Sequence, residues 1–259
     1  VCASGFMASA EKTTITMGLL RALSEEGMKV QPFKSGPDYI DPGFHTLASR
    51  RICRNLDSRM MEEAAVRELY ARQAAAADIC VVEGVMGLFD GSGAQDERGS
   101  AAHLSKLLGL PVVLVIDSRA MARSAGAVAA GFANYDPDVN IAGFIMNRVG
   151  SDRHAAILME AVEDATGRPV LGCVRRDEDV SLPERHLGLV PAWEEEGVEE
   201  AVVRIAEKIA GEVDITRLLD AAGTARDLPK EPEVVFDGGT EPEAGSRADG
   251  PVVAVARDA

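Results

Sequence analysis

Positive charge is scarce in this chain. Its 27 lysines and arginines stand against 42 aspartates and glutamates, a formal net charge of −15. A chain this acidic repels phosphate backbones and anionic bilayers, which argues against nucleic-acid and membrane partners. An anionic small substrate would need local basic groups to offset that field. Long apolar runs are missing too: none approaches the roughly 20 residues of a membrane span. Cysteines are few. Cys2, Cys53, Cys80 and Cys173 lie far apart with no CxxC pair, which speaks against a zinc site or a disulfide framework. Reduced, mostly buried thiols in a cytoplasmic protein are expected instead. His45, His103, His154 and His186 show no metal-ligand spacing, so structural or surface roles are expected for them. No signal peptide is visible. Val1 is not an initiator Met and the first residues already read as strand, so the natural N-terminus is expected further upstream.

What is present is an alternation. The chain has 259 residues, 46% of them hydrophobic, which suits a soluble globular protein with one large core or one and a half domains. Short apolar runs occur at Val1 to Ser4, Lys29 to Phe33, Ile79 to Glu83, Val112 to Asp117, Ile141 to Met146 and Pro169 to Cys173. Several are apolar at consecutive positions, as parallel strands buried on both faces are. Between them lie helical spacings: Ile15, Leu19, Ala22 and Leu23; Val66, Leu69 and Tyr70; Leu104, Leu107 and Leu108; Ala125, Val128, Ala129 and Phe132; Val202, Ile205, Ala206 and Ile209. The pattern predicts an α/β fold: a doubly wound, mostly parallel sheet with helices on both faces. Residues 1–221 are read as that domain. Residues 222–250, rich in Pro, Gly, Glu and Asp, read as a solvated acidic linker. Residues 251–259 read as the first strand of a second, truncated domain.

The densest chemistry lies in Lys34-Ser35-Gly36-Pro37-Asp38-Tyr39-Ile40-Asp41-Pro42. A cation, two carboxylates and a phenol follow an apolar strand directly, where an open α/β sheet has its ligand crevice. The prolines fix φ and make a stiff loop that could grip a charged ligand or a metal. The first strand leads into Gly5-Phe6-Met7-Ala8-Ser9-Ala10-Glu11-Lys12-Thr13-Thr14 and then an amphipathic helix, the layout of a phosphate-binding P-loop. There Lys12 would pair with the β and γ phosphates and Thr13 would ligate Mg²⁺. The loop departs from the pattern, because Ser9 and Glu11 stand where glycines allow positive φ and close approach. A carboxylate at ~4 Å from a phosphate charge costs on the order of 4 kcal/mol at an effective dielectric near 20, and less if the side chain swings away.

The Ile79 run ends in Glu83 and the glycines of Glu83-Gly84-Val85-Met86-Gly87-Leu88-Phe89-Asp90-Gly91, so Glu83 is expected just past a buried strand, where nucleotide-hydrolysing folds hold a Mg²⁺-binding acid. Asn147-Arg148 follows another strand; the amide could read adenine edges and the guanidinium touch phosphate, or the pair could cap a helix. Asp117-Ser118-Arg119, Arg123, Arg148, Arg175, Arg176, Arg185 and His186 together predict a cationic rim at the strand ends.

Taken together, these segments resemble the cobyrinic acid a,c-diamide synthase family. The strings that carry the likeness are Lys34 to Pro42 with Gly43-Phe44-His45, Arg54-Asn55-Leu56-Asp57, Glu83 to Gly91, Gly99-Ser100, Met121-Ala122-Arg123-Ser124, Asn147-Arg148-Val149-Gly150-Ser151 and Leu182-Pro183-Glu184-Arg185-His186-Leu187-Gly188-Leu189. They run over nearly the whole chain. The sister family of cobyric acid synthases lacks the Gly36 to Pro42 string; a branch that amidates nickel-sirohydrochlorin stays open.

The resemblance implies a glutamine-dependent amidoligase of cobalamin biosynthesis, using ATP and Mg²⁺, with a dethiobiotin-synthetase-like N-terminal domain. Lys12, Thr13 and Thr14 would hold phosphates and metal. Lys34 would neutralise the γ-phosphate, Glu83 and Asp38 would complete the Mg²⁺ shell, and Asn147 would recognise adenine. Tyr39, Ile40, Asp41 and Asp90 would contact the corrinoid or orient ammonia. The family's C-terminal glutaminase domain, with its Cys nucleophile, would begin where this chain stops, so the chain alone would use free ammonia. A homodimer is implied by related enzymes only. Two other readings compete: a non-catalytic tetrapyrrole-binding protein with a decayed P-loop, which Glu11 favours, and a partition-type P-loop ATPase, which the acidity disfavours.

Overall fold

The computed structural model describes residues 2–5, 12–176 and 197–226. Seven strands form one sheet: β1 (Cys2–Gly5), β2 (Val30–Ser35), β3 (Arg54–Leu56), β4 (Ile79–Gly87), β5 (Val112–Asp117), β6 (Ile141–Val149) and β7 (Val170–Arg175). Their order is β3-β2-β4-β1-β5-β6-β7, and every neighbouring pair is parallel. Among the described residues eight helices connect or follow them: α1 (Lys12–Glu25), α2 (Asp41–Ser49), α3 (Glu63–Ala74), α4 (Ala101–Leu108), α5 (Ser124–Tyr135), α6 (Asp152–Thr166), α7 (Val198–Glu212) and α8 (Ile215–Ala222).

The consecutive apolar residues of the strands serve two cores, one on each face. In β5, Val112, Leu114 and Ile116 enter the core under α3, α4, α5 and α6, while Val113 and Val115 enter the core under α1, α2, α7 and α8. This is the doubly wound parallel sheet that the sequence predicts, and it follows from the period-2 geometry of a strand covered on both sides. Three helices, α4, α6 and α8, begin where a polar side chain takes up a free amide; Ser100 Oγ accepts from His103 N at 3.0 Å, and Asp214 Oδ1 from Arg217 N at 3.0 Å. At α1 the missing side chain of Gly18 lets α7 close in, since a Cβ there would lie 2.4 Å from Ile209 Cγ1.

Several expectations are corrected. The stretch Arg54–Leu56 is an edge strand, too short and too polar to show as an apolar run. The Lys34 to Pro42 segment is not a loop throughout: α2 starts at Asp41, and Pro42 sits in its first turn, where a missing N–H costs nothing. Strand β4 continues four residues past Glu83, so that carboxylate lies inside the strand rather than beyond it. At the other end, α8 runs through Ala222, and Arg226 N bonds Gly109 O at 2.9 Å, so the predicted linker does not begin at 222. Its remainder and the predicted strand 251–259 lie outside the described residues, as do Ser9, Glu11, Arg185 and His186. Among the described residues no helix is long and apolar enough to cross a membrane.

Candidate active site

Parallel pairing sets Lys34 of β2 directly beside Glu83 of β4, on the face that α1 and α2 cover. Both side chains are buried, Lys34 at 4% and Glu83 at 1% exposure. Lys34 Nζ lies 3.0 Å from Glu83 Oε1 and 2.5 Å from Asp41 Oδ2, with Asp38 Oδ2 further off at 3.6 Å. Thr13, the second residue of α1, brings its hydroxyl within 2.8 Å of Glu83 Oε1 and 3.2 Å of Asp41 Oδ2. His45, wholly buried on α2, puts Nε2 against Glu83 Oε2. Four elements thus converge on one ammonium and two carboxylates.

The charges hold one another. Burial alone would lift the Glu83 carboxyl and lower the Lys34 ammonium. Lys34 and His45 outweigh it at Glu83, which stays far below the usual carboxyl range; Glu83 and Asp41 outweigh it at Lys34, which rises above the usual lysine range. Asp41 moves the other way, raised by burial and by the nearby Glu83 charge. Lys12, the buried first residue of α1, is lowered by burial against the pull of Glu83.

The other expected site residues take different places. Where the resemblance implies Asp38 with Glu83, the geometry brings Asp41 to Glu83. Asp38 Oδ1 instead accepts from the amides of Ile40 at 2.9 Å and Asp41 at 3.0 Å, closing the turn that launches α2. Edge strand β3 clamps that turn: Asn55 Nδ2 donates to Asp38 O at 2.6 Å, and Gly36 N, at φ 81°, donates to Leu56 O at 3.0 Å. Tyr39 is 74% exposed in the turn between β2 and α2, and Ile40 packs half-buried against the α1–α2 core. Thr14 is half-buried one residue past Thr13. Asp90 is exposed and accepts from Gly87 N at 2.9 Å, closing the turn after β4. Asn147 is buried at the end of β6, opposite Asp117 of β5. The expected cationic rim is partly neutralised: Arg119 and Arg148 both bond Asp117, each at 2.9 Å, and Arg175 pairs with Asp152. His45 was missed as a site residue. Its signals in the sequence are its place in the Gly43-Phe44-His45 string and its spacing four residues after Asp41, on the same helical face.

The oxygens fit a hard cation and phosphates. Among the described residues no group of three or more His, Cys, Asp or Glu could hold a metal. Mg²⁺ does not require one, because it is usually held by one or two carboxylates, waters and substrate phosphates. Thr13, Asp41 and Glu83 supply that donor set, and the Lys34 ammonium shows that these oxygens hold a cation.

A lysine and threonines opening the helix after the central strand, beside a carboxylate on the neighbouring strand, define a phosphate-binding α/β domain. The chain belongs to the CobQ/CobB/MinD/ParA nucleotide binding domain family, which it matches over residues 2–190. It is 42% identical over its full length to a protein named cobyrinate a,c-diamide synthase from Methanosarcina acetivorans, of which it covers 53%. It is 46% identical over 88% of its length to a protein of the same name from Archaeoglobus fulgidus, covering 50% of that protein. A hydrogenobyrinate a,c-diamide synthase of Streptomyces coelicolor is 47% identical over 82% of the chain, which covers 43% of it. The chain thus spans about half the length of the curated relatives it matches. Among solved structures, chloroplast FtsY from Physcomitrella patens aligns with 68% of the chain and 58% of its own, at 20% identity and TM-score 0.49.

Proposed function

We propose that this chain is the ATP-dependent half of an amidoligase that converts the a and c side-chain carboxylates of cobyrinic acid, or a close corrinoid, into amides. The observation that carries the reading is the Lys34–Asp41–Glu83–Thr13 cluster, built around the buried Lys34 near the C-terminal end of β2 and the buried Glu83 beside it within β4. The names of the relatives supply the substrate class.

In this reading a substrate carboxylate attacks the γ-phosphorus of ATP, ADP leaves, and the resulting acyl phosphate is opened by ammonia to give the amide and inorganic phosphate. Bound Mg²⁺ would neutralise charge on the phosphates. Thr13 and Glu83, with Asp41 beside them, would hold it; Lys12 would pair with the phosphates, and Asn147 would meet the adenine edge. Lys34 is kept protonated by its two carboxylates and supplies a fixed positive charge where negative charge gathers on the transferring group. Tyr39, exposed next to this cluster, would meet the corrinoid. Ammonia would come from glutamine in a longer protein.

The test is to incubate the chain with Mg-ATP, ammonium and cobyrinic acid, and to follow ADP and amide together. Stoichiometric ADP and amide from the unmodified chain support the reading. If neither forms, but both form in the Glu11→Gly, Ser9→Gly variant, the fold is inherited and Glu11 has disabled the nucleotide loop. Corrinoid binding with no nucleotide binding in either form would replace the reading with that of a non-catalytic tetrapyrrole-binding protein.

A further inference from the structure

Both oxygens of Glu83 are committed, and to different partners. Oε1 meets the Lys34 ammonium at 3.0 Å and the Thr13 hydroxyl at 2.8 Å. Among the described residues, Oε2 meets His45 Nε2 alone. With two donors, the Lys34 ammonium and the Thr13 hydroxyl, already on Oε1, Glu83 acts as the acceptor in this cluster, and Nε2–H of His45 is the donor to Oε2. That choice leaves Nδ1 buried without a partner. For stability alone the ring is a poor occupant of this place, since an unpaired buried polar atom is destabilising. The bond to Glu83 is what a histidine provides here and an apolar side chain would not.

We propose that His45 is a positioning residue. It pins Oε2 of Glu83, so that Oε1 alone is turned toward Thr13 and the metal side of the nucleotide site. This rests on the reading of Glu83 and Thr13 as holders of Mg²⁺. Without the bond, the carboxylate is free to rotate about its last torsion, present both oxygens to Lys34 and withdraw Oε1 from Thr13. His45 reaches Glu83 from α2, the helix that also begins with Asp41, so one short helix sets the second carboxylate and the orientation of the first.

The experiment is calorimetric titration of ADP into the full chain with Mg²⁺ and, separately, with EDTA. His45→Gln keeps an N–H near the Nε2 position; His45→Met has similar reach and no donor. His45→Met is expected to weaken Mg²⁺-dependent ADP binding by about tenfold or more, the usual loss for a partner that orients a metal ligand. Binding in EDTA stays at the level of the unmodified chain, and His45→Gln recovers most of the loss. Unchanged affinity in His45→Met, or equal loss in both variants, overturns the proposal. If the unmodified chain binds ADP no better with Mg²⁺ than with EDTA, the metal reading itself fails and the proposal goes with it. A second measurement needs no variant. With ¹⁵N-labelled histidine, a slowly exchanging ring N–H is expected that shifts when Mg²⁺ and ADP are added and not with ADP in EDTA; its absence, or its indifference to Mg²⁺, overturns the proposal.

Discussion

Lys34 and Glu83 occupy paired positions on adjacent parallel strands, with Nζ 3.0 Å from Oε1 and both side chains buried. The sheet register therefore sets the two side chains next to each other. Removing one partner strands a buried charge, which costs about 3–5 kcal/mol. Lys34→Met is expected to lower the urea midpoint accordingly, because it leaves both Glu83 and Asp41 without their ammonium. The double variant Lys34→Met, Glu83→Gln should recover part of that stability without recovering function. Equal midpoints for Lys34→Met and the unmodified chain would show that the pair contributes nothing to folding.

The same pair sets an acid limb. In the folded chain the Glu83 carboxyl lies far below its ordinary value near 4.5, because Lys34 and His45 outweigh burial. A depressed folded value adds stability above the ordinary value and loses it as pH falls toward the folded one. Unfolding free energy should therefore drop as pH is lowered below about 4.5, and Glu83→Gln should flatten that drop. Asp41, raised by burial and by Glu83, contributes in the opposite sense and only blunts the slope. Urea titrations at a series of acid pH values check this, and an unchanged slope in Glu83→Gln would refute it.

The sheet was legible because strands covered on both faces are apolar at consecutive positions, as Val112–Asp117 shows. The charged string that closes β2 and leads into α2 marked the candidate site because a cation and two carboxylates follow one another within a few residues at the end of an apolar strand. Other features left no periodic trace. Strand β3 has three residues, exposed, half-buried and buried in turn, and its pairing to β2 is a tertiary event. That Asp41 rather than Asp38 joins Glu83 depends on where α2 starts, and helix boundaries are weakly encoded when a proline can sit in either a turn or a first helical turn. His45 reads as an ordinary helical histidine because its partner lies 38 residues away, on strand β4.

Asp117 offers a test of the other end of the crevice. It accepts from the Arg119 amide at 3.0 Å and binds the guanidinium groups of Arg119 and Arg148. Burial would raise its carboxyl, but these bonds, led by the Arg119 amide, hold it below the usual range. Arg148 adopts φ 57°, an unusual conformation for a residue with a side chain, directly after Asn147. Asp117→Ala releases Arg148 and is expected to cost about 1–3 kcal/mol of stability. It should also weaken adenine-nucleotide binding several-fold through the displaced Asn147. Calorimetry with ADP reads the second effect; full affinity in a destabilised Asp117→Ala would separate Asn147 from the nucleotide.

Asp38 and Asp41 can be told apart by one pair of isosteric substitutions. Asp38 uses Oδ1 to accept two amides, a task the oxygen of an asparagine performs equally well. Asp41 uses Oδ2 to bind an ammonium and a hydroxyl, a task that needs the negative charge. Asp38→Ala should therefore lose about 1–3 kcal/mol of stability, and Asp38→Asn should restore it together with Mg²⁺-dependent ADP binding. Asp41→Asn should keep most of the stability, since removing a carboxylate that burial disfavours offsets part of the lost pairing, yet lose Mg²⁺-dependent binding. If Asp38→Asn abolishes that binding as fully as Asp41→Asn does, the Asp38 carboxylate itself serves the metal, and the turn it closes must open when the site fills.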